Sequence, residues 1–246
     1  MALTLAAAIF LPLFPFSIVL NGMLMRLSNP YARFLLLLLW PQIGIVALSF
    51  TNQAIPGYMV IWALISSAHY ALRLLTIRDL GLWAGFLASS SLALTWGLAA
   101  HHAPIEMHFF ALWFSLPAAL LTLLTGPLVK RFGAAYAGLY GGLASSMPRL
   151  SILLVVTVFA AIATPPSPGF FAMLNLLQRQ SWPAAAAVSI IWLFWSWAAT
   201  KLLQGFVFGA DRRHGMPDLG RKSTLLYMSV LCAFVVTGIY ITGGAL

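Results

Sequence analysis

Acidic residues are nearly missing from this 246-residue chain: Asp and Glu number 4, against 13 Lys and Arg. Charged residues of both signs reach only 7%, whereas a soluble domain carries about 25%. A chain that is 62% hydrophobic, with a mean hydropathy of +0.96, cannot cover itself with polar surface. It is expected to be an all-α integral membrane protein. Long polar stretches are lacking as well. The longest, Gly209 to Lys222, has 14 residues and leaves no room for a soluble domain. Residues 1–246 therefore read as one polytopic transmembrane domain. A single cysteine, Cys232, excludes internal disulfides and cysteine metal sites. Phosphate loops, dinucleotide fingerprints and Ser-His-Asp constellations are missing, so nothing points to an enzyme and no cofactor is expected. The four acids, Asp79, Glu106, Asp211 and Asp218, all fall at or beyond expected helix ends, so a carboxylate relay through the bilayer is excluded within this chain. The N-terminus lacks the basic region of a signal peptide and is expected to enter the first span directly.

What is present is a series of apolar runs. A window of roughly 20 residues gives about eight helices, at 3–25, 33–51, 56–76, 80–100, 107–129, 150–178, 184–208 and 223–244. The basic residues test that count. Arg26 and Arg33, then Arg73 and Arg78, then Lys130, Arg131 and Arg149, then Lys201, Arg212, Arg213, Arg221 and Lys222 fall between spans 1–2, 3–4, 5–6 and 7–8. Of the 13, only Arg179 lies on the opposite side. The positive-inside rule then places both termini on the outer side of the inner (cytoplasmic) membrane. Cations scattered this way are topology signals, so no nucleic-acid partner is expected. The basic loop from Asp211 to Lys222 is expected to face anionic lipid or an adjacent subunit. Tryptophans near helix ends read as interfacial anchors, with Trp192, Trp195 and Trp197 packed more deeply. The small residues Gly81, Gly85, Ala137, Gly141, Gly142 and Ala184 to Ala187 read as close helix packing.

The 150–178 span carries the most information. Pro165, Pro166, Pro168, Gly169 and Phe170 interrupt it. Proline removes a backbone donor and clashes with the preceding turn. In hydrocarbon the freed groups must find protein or water, so this is expected to be a helix broken at Pro165–Gly169 and packed against its neighbours. Broken helices at membrane depth mark ion or substrate pathways. Ahead of it stands a loop with Gly141-Gly142-Leu143 and Met147-Pro148.

That combination resembles the antiporter-like (L, M and N type) subunits of respiratory complex I and of multisubunit cation/proton antiporters, membrane-bound hydrogenases and some inorganic-carbon transporters. Gly126, Arg131 and the helix ending Phe206-Val-Phe-Gly209 extend the likeness over about residues 107–210. Arg78-Asp79-Leu80 and Phe14-Pro15-Phe16 extend it more thinly upstream, the latter resembling the Pro-Phe-His segment of the family's central broken helix. The resemblance covers roughly the second half of such a subunit. It implies intramembrane lysines and an acid forming a proton relay. Carried over, those positions fall on Phe10, Gly81, Leu112 (or Phe114 in a gapless fit) and Met173. All are apolar, so the relay reads as emptied.

The titratable groups left for a proton or ion path are His69, with Arg73 four residues on along the same helix face, and His108. A histidine with a pKa near about 6.5 can pass protons, while hydrogen bonding within the bundle is the plainer reading. His101, His102, Glu106 and His108 match no metal-ligand spacing, and no metal is expected. The reading that follows is a non-catalytic antiporter-like subunit of a larger ion-translocating complex, scaffolding or shaping an ion path beside other membrane subunits in the lipid bilayer. The alternative is a self-contained permease with its cavity at the broken helix.

Overall fold

The computed structural model describes residues 2–51, 55–101, 104–139, 141–209 and 217–243. The helices are α1 (Ala2–Phe10), α2 (Ile18–Arg26), α3 (Pro30–Ser49), α4 (Gly57–Leu74), α5 (Leu80–Ala93), α6 (Thr95–Ala99), α7 (Pro104–Phe132), α8 (Leu143–Ser146), α9 (Pro148–Ala161), α10 (Pro168–Arg179), α11 (Trp182–Val207) and α12 (Arg221–Gly243). Five are long and apolar enough to cross a membrane, taking Leu80–Ala99 as one: Pro30–Ser49, Leu80–Ala99, Pro104–Phe132, Trp182–Val207 and Arg221–Ile241. The shorter apolar helix α9 adds to these. The chain is a multi-pass, all-helical membrane protein.

Short-range chemistry sets the helix starts. Asn29 accepts from the Tyr31 N–H at 2.9 Å, with Pro30 in the first turn of α3. Asp79 accepts from the Leu82 N–H at 2.8 Å and caps α5. Each supplies an acceptor to one of the donors a helix leaves free at its start. The N-cap of α9, Met147, lacks such a side chain. Asp218 serves instead from far along the chain, accepting from Arg149 N at 2.9 Å and Leu150 N at 3.2 Å.

The α5–α6 pair is the axis of the bundle. Nearly every residue from Leu80 to Ala99 is buried, and its apolar residues are spread around all sides, as an enclosed helix requires. Helices α2, α4 and α7 surround it. By contrast α3, α11 and α12 turn apolar residues outward, including Leu39, Leu193 and Val236.

Four inter-helix segments meet at one end of the bundle. The Arg33 side chain lies against Gly81, Leu80 N donates to Ala135 O at 2.9 Å, Lys201 Nζ donates to Leu75 O at 3.2 Å, and Arg131 donates to Pro217 O at 2.9 Å. At the other end Glu106 pairs with Arg179, and Gln180 reaches Gly97 O at 3.3 Å. An even number of passes between these contacts is the geometry the basic-residue pattern requires.

Three expectations need correction. The run at 3–25 is not one helix but two, parted at Leu11–Ser17, because Pro12 and Pro15 interrupt it. The second break lies at Ile162–Ser167, so Pro168, Gly169 and Phe170 belong to the first turn of α10, where proline is tolerated. Trp197 is 57% exposed and faces outward, rather than packing inside with Trp195. His102 and the 211–216 part of the basic loop lie outside the described residues.

Two broken helices held by uncharged donors

A helix end leaves four carbonyls without partners, and at membrane depth each must be satisfied inside the protein. Here backbone N–H groups of the following turn satisfy several of them, and tryptophan indoles reach carbonyls in and beside the breaks. At the first break the indole N–H of Trp40 donates to Ile9 O at 3.2 Å, that of Trp96 to Leu11 O at 3.1 Å, and that of Trp62 to Phe14 O at 2.6 Å. The Phe14 N–H gives its hydrogen to Ser66 Oγ at 2.9 Å. At the second break Trp192 donates to Ile162 O at 2.8 Å. Thr164 closes the turn by donating its hydroxyl and its N–H to Phe159 O at 2.9 and 3.1 Å. Phe14–Pro15 and Pro165–Pro166 are cis peptides, one in each break. Trp40, Trp62 and Trp192 therefore act as internal donors as well as packing residues, a role that neither the interfacial reading of tryptophans near helix ends nor the packing reading of Trp192 anticipated.

Uncharged polar groups continue inward from the first break. Ser17 Oγ and Tyr70 OH share a short hydrogen bond, Asn21 donates to Ser17 O at 3.0 Å, and Ser89 donates to Asn21 Oδ1 at 3.1 Å. A second group joins Ser67 and Ser90 at 3.1 Å and receives the Trp195 N–H on Ser90 Oγ at 2.8 Å. Sequence reasoning missed both groups. The run Ser89-Ser90-Ser91 inside an apolar span was the available signal.

The three candidate path residues have separate neighbours. His69 is half-buried beside the first break, its ring 5.0 Å from Phe14 and 5.2 Å from Tyr70. Arg73 is exposed, with its guanidinium 5.1 Å from the Phe86 ring centre. His108 lies on α7 and shares a 2.6 Å hydrogen bond with Gln42 of α3. Glu106 turns the other way, to Arg179 at 2.6 Å, with Asn175 bonded to both. Among the described residues, Arg179 is the one Lys or Arg at the sparsely charged end, and it is paired with a nearby acid. Among the described residues no group of three or more His, Cys, Asp or Glu could hold a metal ion.

Three of the positions that the resemblance assigns to a relay are filled by apolar packing, whereas at Gly81 the Arg33 guanidinium comes close. Phe10 lies 4.7 Å from the Trp40 ring, and Met173 is fully buried. Phe114 is buried against Phe110 and Trp195, and its ring edge comes near Gly169 at the start of α10. Leu112 is exposed, so Phe114, the gapless assignment, is the one that faces the interior. In the glycine motif, Gly142 adopts φ +83° ahead of α8. Gly141 comes so close to α11 that a Cβ on it would lie 2.5 Å from Phe208 O. Leu143 and Met147 are buried, and Pro148 opens α9.

Solved structures share this architecture. The chain superposes on a chain of respiratory complex I from Thermus thermophilus with TM-score 0.83 at 22% identity, covering 97% of this chain and 54% of that one. It superposes on a chain of the Mrp complex from Dietzia sp. DQ12-45-1b with TM-score 0.80 at 17% identity, covering 98% and 55%. The membrane-bound sulfane sulfur reductase, an archaeal respiratory membrane complex, gives TM-score 0.78 at 15% identity, covering 96% and 51%. No family model and no curated protein sequence matches the chain. The fold is that of the membrane chains of these complexes, and this chain spans about half the length of each one it matches.

Proposed function

We propose that this protein is a non-pumping, antiporter-like subunit of a larger ion-translocating membrane complex, one that scaffolds its neighbours and bounds an ion path without carrying the ion itself. The observation that carries the reading is the filling of both breaks. A proton relay needs groups that take up and release charge at membrane depth. Here indoles, serine and threonine hydroxyls and phenyl rings occupy those places. Asp79, Glu106 and Asp218 are each engaged at a helix end. The basic loops favour an orientation in which the end carrying them faces the cytoplasm.

Two measurements test this together. Purification from the native membrane should bring other membrane proteins in fixed stoichiometry. The purified chain alone in liposomes should move neither protons nor sodium under an imposed gradient. Partner-free, gradient-driven flux or solute uptake by the purified protein would reject the proposal and favour a self-contained permease.

A further inference from the structure

At the end of the bundle where the basic segments meet, a cavity of about 550 Å³ opens between the end of α4 and α11. Its ionisable lining consists of two cations, Arg78 and Lys201, and Thr76 and Gln204 add polar groups beside them. Leu75 and Ile77, each half-buried, give it an apolar side, backed by the buried Leu74, Ala198 and Leu202. Local backbone contacts build the site. Arg78 O accepts from Ala137 N at 2.8 Å, and Gly138 N donates to Gly205 O at 2.9 Å, which ties the 135–138 segment across the floor. A Cβ on Gly205 would lie 2.9 Å from Ala137 Cβ, so glycine is what lets the floor close. Asp79, the nearest acid in sequence, is turned away to cap α5. Lys201 spends one donor on Leu75 O and retains two. Arg78 makes no ion pair with a described residue.

Two cations without a counter-charge among the described residues, next to apolar side chains in a membrane protein, match an amphiphile with an anionic phosphate head and a hydrocarbon tail. We propose that this cavity binds one anionic phospholipid, with its phosphate between Arg78 and Lys201 and an acyl chain along Leu75 and Ile77. An acidic protein loop would satisfy the cations but would leave the apolar side unmatched, so the lipid is the better fit. The inference is independent of whether the chain conducts ions.

The test uses the full chain, delipidated in neutral detergent, with lipid retention read by native mass spectrometry and thermal unfolding. Phosphatidylglycerol should be retained at one per chain and should raise the melting temperature, while phosphatidylcholine should do neither. Arg78→Gln or Lys201→Gln should weaken retention about fivefold and the double substitution about thirtyfold, the scale expected for basic groups at a membrane surface. Arg26→Gln, an exposed cation outside the cavity, should leave retention unchanged. Equal retention of both lipids, equal loss with Arg26→Gln, or equal stabilisation by inorganic phosphate alone would each overturn the proposal.

Discussion

Replacing Trp192 with Phe is the sharpest probe of how the second break is held. Ile162 is 2% exposed, and the Trp192 indole donates to its carbonyl at 2.8 Å. A phenyl ring preserves the packing on Phe170, whose ring centre lies 5.7 Å away, and removes the donor. A buried carbonyl left without a partner costs about 1–3 kcal/mol. Inter-helix hydrogen bonds within bilayers average nearer to about 0.6 kcal/mol, because the unfolded chain in the membrane also finds partners. A loss of about 1–2 kcal/mol is therefore expected. Trp197→Phe is the control: that ring is 57% exposed on the outer surface, and its replacement should stay within about 0.5 kcal/mol. Reversible unfolding in mixed detergent and SDS micelles reads both. Equal stability of the two variants would refute the claim that the indole N–H, rather than the bulk of the ring, holds the break.

Gly141→Ala should destabilise by about 1–3 kcal/mol, because the added methyl meets Phe208 O and the chain must move; thermal unfolding reads it. Asp218→Ala removes the acceptor of the Arg149, Leu150 and Leu219 N–H groups. It should cost about 1–2 kcal/mol and expose residues 217–220 to limited proteolysis. Glu106→Gln should cost under about 1 kcal/mol, since the pair with Arg179 is partly open to its surroundings; a double-mutant cycle with Arg179→Gln measures it. His69→Ala should leave ion flux of a reconstituted parent complex unchanged, and abolished flux would restore His69 as a relay residue.

Helix content, approximate spans and the alternation of basic loops were legible because they rest on long sums of hydropathy and charge. The break in α9–α10 was legible from its prolines. The break in α1–α2 offered a similar cue, Pro12 and Pro15, but its apolar residues masked it as one span. The partners of the breaks were not legible. Trp96 caps Leu11 from 85 positions away, and Trp195 reaches Ser90 from 105. No local pattern carries such pairings. The Glu106–Arg179 pair was hidden for the same reason, although each residue was individually conspicuous as the acid or the base on the wrong side of its neighbours.

The uncharged nature of the donors at both breaks has an electrical consequence. A unit charge crossing the bilayer gains or loses about 2.3 kcal/mol per 100 mV, but an indole or a hydroxyl carries no net charge for the field to act on. Energising the membrane does almost no work on these segments.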